Sequence, residues 1–345
     1  MIETDAVVIG AGPVGLFQAF QLGLLEIGAH IVDALPAPGG QCVELYPDKP
    51  IYDIPGIRVC SGHELADRLL EQIRPFGTAL HLGQTIVSLQ PQADGRFALH
   101  TSAGMRFLCR AVFIAAGVGA FQPKPLKVDG IELFVDRQVF HRAPAQAALA
   151  GQQVLVFGDD EQALSDTLGL IEAGDAVPAS VTLVHRRDAF SATPDTVARM
   201  RQACADGRLR FVAAQPVGID VADGRLTGLQ LIDADGKPVG LPADTVLVLL
   251  GLSPRLGPIA DWGLAMSRRQ LVVDTAQFQT SVAGIHAVGD INTYAGKRKL
   301  IVCGFHEATL AAYGAAQRLR PGQAVLQQYT TTSPRLHQLL GVARG

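Results

Sequence analysis

No two of the five cysteines form a Cys-x-x-Cys; Cys42, Cys60, Cys109, Cys204 and Cys303 stand singly along 345 residues. That argues against a zinc site or a disulfide framework and for a reducing cytoplasm. An excess of either charge is also missing. The formal net charge of -3 leaves no global electrostatic reason to expect a nucleic-acid partner. Apolar runs are short: Thr245 to Leu252, among the longest, falls far below the ~18 residues of a membrane helix. The opening residues Met1-Ile2-Glu3-Thr4-Asp5 lack the basic region and small-residue cleavage site of a secretory signal. A cytoplasmic protein without membrane attachment is expected. What is present is length for about two domains. The 48% apolar and 18% charged residues are ordinary for a globular protein. The 37 glycines suit many tight turns.

The first informative block is a short apolar strand, Asp5-Ala6-Val7-Val8-Ile9, running into Gly10-Ala11-Gly12-Pro13-Val14-Gly15. An amphipathic stretch from Pro13 to about Ile27 reads as a helix that stops at Gly28, and a second strand, His30-Ile31-Val32, ends on Asp33. Each part has a mechanical reason in a dinucleotide site. Gly10 permits the turn, Gly12 lets backbone approach a pyrophosphate, Gly15 allows close helix–strand packing, and Asp33 accepts from ribose hydroxyls. A glycine cluster alone is weak; the flanking strand, helix and acidic strand end all agree with it.

A second unit begins near Gln152. Val154 to Phe157 reads as a strand, Gly158 as a turn, and Glu161 to Ala173 as a helix. The next strand, Ser180 to Val184, ends in His185-Arg186-Arg187-Asp188. Arginines at that strand end suit the 2′-phosphate of NADP, although a solvated strand end is the bland alternative. Near the C-terminus, Gly284-Ile285-His286-Ala287-Val288-Gly289-Asp290 reads as a strand delivering Asp290 into a turn, with a helix from about Phe305 to Arg318. Asp290 is a turn residue or a flavin ligand, and the N-terminal loop favours the second.

In this order the blocks resemble the low-molecular-weight thioredoxin-reductase-like flavoproteins, most of all their ferredoxin(flavodoxin)–NADP reductases. The likeness runs from Val7 to about Ser333. It also rests on Gly39-Gly40-Gln41, Leu45-Tyr46-Pro47 with Ile51-Tyr52-Asp53, Ala115 to Phe121, and Trp262-Gly263-Leu264. The resemblance implies an α/β fold with two Rossmann-like dinucleotide-binding domains of three-layer type. An NADP domain (119–251) would be inserted into a split FAD domain (1–118 and 252–345). It also implies that Gln41 and Tyr46 lie near the isoalloxazine, Ile86 near the adenine, and Phe121 near the interdomain crossing. Asp290 would hold the ribityl chain, and Thr331 would reach the flavin across a homodimer interface. For Tyr46 and Phe121 plain core packing is the alternative.

Thioredoxin reductases of this build carry a Cys-x-x-Cys ahead of the second glycine loop, and 135–151 here contains no cysteine. Dithiol exchange needs both thiols, so thioredoxin reduction is excluded. The job left is passing electrons from NADPH through FAD to a ferredoxin or flavodoxin, with no catalytic acid or base demanded and no metal. Such partners are acidic, and Lys297-Arg298-Lys299 with Lys124 and Lys127 are candidate docking cations. One departure stands out. Gly158-Asp159-Asp160-Glu161-Gln162-Ala163 has lost the later glycines of the second loop, and three carboxylates face the expected pyrophosphate position. That keeps open a flavin relay or regulatory protein with a weakened NADPH site. A small-molecule flavin monooxygenase or reductase is disfavoured by the lack of a substrate domain.

Overall fold

The computed structural model describes residues 1–172, 177–325 and 329–342, with the side chains of Phe121 and Gln122 outside the described set. The chain divides into two compact units, one of Met1–Ala120 with Pro254–Gly345 and one of Phe121–Ser253. Each is built on a Rossmann-like α/β sheet.

In the first unit the apolar run ending at Ile9 is the centre of the sheet. Strand β1 (Ile2–Ile9) pairs in parallel with β2 (Ala29–Val32) and with β6 (Arg106–Ile114). Strand β3 (Ala79–His81) continues beyond β2, and the hairpin β4 (Ile86–Pro91) and β5 (Phe97–Thr101) lies beyond β6, giving the order β3-β2-β1-β6-β5-β4. On the side away from β1, β6 serves two neighbours. Its first half pairs antiparallel with β5, and Val112 to Ile114 pair in parallel with the strand Ile285–Ala287. Ile9, Val32, Ile114 and Ala287 therefore end at one level. The segments leaving at Gly10, Asp33, Ala115 and Val288 gather at this carboxyl edge, where open α/β sheets bind ligands.

Helix α1 (Pro13–Leu24) starts on Gly12, with proline in its first turn, where the missing N–H costs nothing. It ends earlier than the sequence suggests. Glu26, not Gly28, takes the left-handed conformation (φ 56°), and Ile27 N–H reaches back to Leu22 O and Glu26 N–H to Gly23 O, a Schellman closure. The short α2 (Gln41–Glu44) and the capping-box helix α3 (Gly62–Ile73) follow.

In the second unit the strands Ser180–His185, Gln153–Phe157, Thr245–Val248 and Val139–Phe140 run parallel, and Arg210–Ala222, Arg225–Asp233 and Pro238–Pro242 form an antiparallel extension. Helix α4 (Glu161–Ile171) is shorter than expected; Ala173 lies outside the described residues. Helix α5 (Pro194–Ala205) packs beside α4. The alanine-rich stretch 143–151 forms only a 3-10 turn, Gln146–Leu149, anchored by buried Leu149.

The chain re-enters the first unit at Pro254; there helix α6 (Ile301–Leu319) starts four residues before the expected Phe305, and the short α7 (Pro334–Leu339) is the last described helix. α6 packs on α1 through small residues. A Cβ at Gly304 would stand 2.4 Å from Val14 Cγ2, so Val14 of the glycine loop fixes how close α6 approaches.

His286 sits wholly buried on the strand Ile285–Ala287, its ring stacked on Phe113 at 5.0 Å. Nδ1 donates to Gln277 O at 2.9 Å, and burial lowers its pKa from 6.5 to about 4. The folded-state value lies below the unfolded one, so the unfolded chain binds the proton first. This contribution to stability is therefore full above pH 6.5 and is lost as pH falls toward 4, by about 3 kcal/mol. Urea denaturation across that window is expected to show the loss in the wild type and a flatter curve in His286→Leu. Parallel curves would contradict it.

Candidate functional site

At the carboxyl edge of the first unit, Gly10 and Gly15 close on each other. A Cβ at Gly15 would stand 1.9 Å from Gly10 O, and one at Gly10 (φ 113°) 2.4 Å from Ala115 O. Gly12 differs. A Cβ there would meet only Gly40 Cα, at 3.9 Å, so its missing side chain leaves open space. No side chain caps α1 and no acid stands in its first turn. Its N-terminal N–H groups and positive dipole end are thus left for an anion. The loop is braced from below. Asp33, at the end of β2, accepts from Ala11 N–H at 2.5 Å and from Leu35 N–H at 2.7 Å. Burial pushes its carboxyl up, against the pull of those two bonds. Gly39 N–H donates to Ala11 O, and Gly40 (φ 57°) approaches Gly12 so closely that a Cβ would lie 2.9 Å from its Cα.

Beside this loop, Gln41 opens α2 and hydrogen-bonds Asp290. Its Nε2 would lie 2.9 Å from a Cβ at Gly117. Tyr46 hydrogen-bonds the Cys42 thiol, and burial pushes its pKa up to about 12. Burial likewise raises the Asp290 carboxyl, opposed by Lys297 and Lys299. Gly10, Gly12, Pro13, Gly15, Asp33, Gln41 and Asp290 thus meet at one edge, with Tyr46 beside Gln41's helix. Ile86 is buried at the start of β4 and offers main chain rather than side chain. Thr331 is not brought to them within one chain. It lies in an exposed 3-10 turn before α7, whose Arg335 pairs with Glu26 at 2.6 Å, at the other end of α1. Twelve helical residues, ~18 Å, separate the two ends. Phe121 begins the second unit, and its side chain lies outside the described residues.

Sequence reasoning missed the group that organises the Asp290 turn. Glu307, on α6, has no exposed surface. One carboxylate oxygen accepts from Gly289 N–H at 2.7 Å and Asn292 Nδ2 at 2.8 Å; the other accepts from Tyr294 Oη at 2.9 Å and Lys297 Nζ at 2.5 Å. Lys297 Nζ also donates to Gly289 O at 2.9 Å. Gln270 Nε2 donates to Asp290 O at 3.1 Å and Asn292 O at 2.8 Å. Lys297 is therefore not the docking cation its sequence neighbours suggested. Its side chain is 7% exposed and committed to Glu307, because a wholly buried carboxylate needs a counter-charge. Arg298, Lys299, Lys124 and Lys127 are exposed. An acid in an alanine-rich helix, with a lysine ten residues earlier, is the only trace of this pair in the sequence.

In the second unit Gly158 is required by packing, since a Cβ would stand 2.4 Å from Ala163 Cβ and 2.7 Å from Leu249 O. The three carboxylates that follow do not converge on one position. Asp160 caps α4, accepting from Ala163 N–H at 2.9 Å. Glu161 turns to the start of α5, accepting from Thr193 N–H at 2.6 Å and Thr196 Oγ1 at 2.5 Å. Asp159 stands 3.7 Å from His185 Nε2. Arg186 and Arg187 follow the strand Ser180–His185, exposed, and neither guanidinium enters an ion pair or hydrogen bond among the described residues. The neighbouring Asp188 is taken by Arg201, whose guanidinium lies over Phe190 and Phe211. Among the described residues there is no cluster that could hold a metal ion, and no helix long and apolar enough to cross a membrane.

Residues 4–317 match the pyridine nucleotide-disulphide oxidoreductase family. A ferredoxin–NADP reductase of Paracidovorax citrulli is 58% identical over 350 residues, covering 99% of this chain and 97% of that protein. One of Albidiferax ferrireducens is 55% identical over 341 residues, covering 99% and 96%. Among solved structures, the bacillithiol disulfide reductase of Staphylococcus aureus aligns with a TM-score of 0.62 at 15% identity, over 93% of this chain and 100% of that one. The thioredoxin reductase of Lactococcus lactis gives 0.57 at 22% identity, over 91% and 98%. At these identities the structures speak for the fold alone.

Proposed function

The chain belongs to the pyridine nucleotide-disulphide oxidoreductase family, and on that basis we propose that it is an FAD-dependent ferredoxin/flavodoxin–NADP reductase. The observation that carries this reading is a pair of complementary sites in one chain. One is an uncapped helix beside an open glycine, and the other is a nucleotide-type sheet ending on two unengaged arginines. Relatives named ferredoxin–NADP reductase, alike over nearly their whole length, support it.

The residues of the first unit fit FAD. Gly12 leaves room for the pyrophosphate against the α1 N-terminus, and Gly10 and Gly15 hold the turn. Asp33 offers its remaining lone pairs to the ribose, and Gln41, Tyr46 and Asp290 line the flavin side, with Ile86 and Phe121 as further contacts. Bound FAD accepts a hydride and releases electrons one at a time. The chain's own residues bind, orient and exclude water; no side chain is required as acid or base. In the second unit Gly158 keeps α4 close to its strand, and Arg186 and Arg187 take the 2′-phosphate of NADPH. Glu161 is directed to α5 and so does not oppose the dinucleotide. Asp160, by contrast, occupies one N–H of α4, and this favours a second reading, a flavin relay with a weakened NADPH site. The protein works as a cytoplasmic homodimer, with Thr331 serving the partner's flavin.

The acceptor is an acidic redox protein met by exposed cations such as Arg298 and Lys299. NADPH-driven reduction of a ferredoxin or flavodoxin is therefore expected to show KM rising severalfold between low and 0.5 M salt, while turnover with a small neutral acceptor stays flat. No turnover with either redox protein would contradict the assignment.

A further inference from the structure

Glu307 and Lys297 form a buried ion pair in a place where packing alone would not call for one. The face of α6 around Glu307 is otherwise small and apolar, with Ala308, Ala311, Ala312 and Ala315 all buried. Buried pairs are often no more stable than well-packed hydrophobic residues. What the pair does is local and specific. Glu307 holds the N–H of Gly289 and Lys297 holds its carbonyl, so both backbone groups of this glycine (φ 78°) are fixed by one ion pair. Gln270 holds the carbonyl of the next residue, Asp290. All four contacts of the Glu307 carboxylate are made, so the carboxylate itself needs no further partner; the one loose end beside it is Asn292 Oδ1, buried without a hydrogen bond.

We propose that Glu307 and Lys297 are positioning residues for the flavin: the pair locks the Gly289–Asp290 turn so that Asp290 meets FAD in a single orientation. The inference rests on the FAD reading of the first unit. It concerns residues that touch the cofactor only through the turn, so activity is not its test.

The test uses full-length apoprotein of the wild type and of Lys297→Met, Glu307→Gln and the double variant. FAD affinity is read by quenching of free flavin fluorescence, the flavin environment by visible circular dichroism, and the fold by the melting temperature of the apoprotein. Lys297→Met strands a buried carboxylate and is expected to raise the Kd for FAD about a hundredfold. Glu307→Gln keeps an acceptor for Gly289 and is expected to raise it about tenfold. The double variant is expected to bind better than Lys297→Met alone, with an altered visible dichroism band in all three. Should Lys297→Met fail to fold, Glu307→Gln and the double variant still decide. Wild-type affinity and dichroism in those variants, whatever the melting temperature, would overturn the proposal. A wild type that takes up no FAD would instead overturn the FAD assignment itself.

Discussion

Gly12→Ala is expected to leave the apoprotein folded while raising its Kd for FAD at least about a hundredfold, ~2.7 kcal/mol. The reason lies in where the methyl would go. Gly12 has an extended backbone (φ -71°, ψ 176°) that alanine adopts freely, and its Cβ would find nothing closer than 3.9 Å. The protein has space there, and in the FAD assignment a pyrophosphate occupies it, against a helix end that no side chain caps. Gly15 provides the control. Its Cβ would stand 1.9 Å from Gly10 O and 2.9 Å from Gly10 C, both backbone atoms. Neither can move without opening the turn, so Gly15→Ala is expected to destabilise the unit by ~3 kcal/mol or more. Apoprotein melting and flavin titration separate the two: one variant loses ligand, the other loses fold. Equal melting losses in both would show that Gly12 is a packing glycine.

Arg186→Ala/Arg187→Ala is expected to raise the KM for NADPH about thirtyfold or more and to change that for NADH less than about threefold. Both guanidiniums are exposed and unengaged among the described residues, so their removal strands no partner and leaves the fold intact. Their attraction is for the 2′-phosphate, which NADH lacks. With kcat little changed, the loss is one of binding rather than of transition-state stabilisation. Equal losses for the two nucleotides would refute a phosphate role and favour the relay reading, in which Asp160 has already taken an α4 amide.

The parts of the site legible in the sequence are those whose role is set by backbone and near neighbours. Gly10 and Gly15 announce themselves because only glycine permits the turn and the close packing, Gly12 because a pyrophosphate needs the space a side chain would fill, and Asp33 follows at a fixed strand offset. Side-chain direction is not written locally, and that is where expectation and structure part. Lys297 read as one of three surface cations and is instead buried against Glu307. Asp159, Asp160 and Glu161 read as one block of negative charge, yet one caps its own helix, one binds the next and one faces a histidine. Gly28 read as the helix stop, but the closure fell on Glu26, where the hydrogen bonds of the last turn fit best. Glu307 had no local signature beyond being an acid in an alanine-rich helix ten residues after Lys297. Its meaning comes from Gly289, Asn292, Tyr294 and Lys297, which the strand Ile285–Ala287 and the loop after it bring to α6.

In the proposed function, NADPH bound by the second unit reduces FAD held by the first. Anaerobic titration of the purified FAD-loaded protein with NADPH, followed by the visible absorbance of the oxidised flavin, tests this most directly. Full bleaching by about one equivalent of NADPH, with recovery on adding oxidised ferredoxin or flavodoxin, is the expected result. A flavin band that persists at millimolar NADPH would contradict the account.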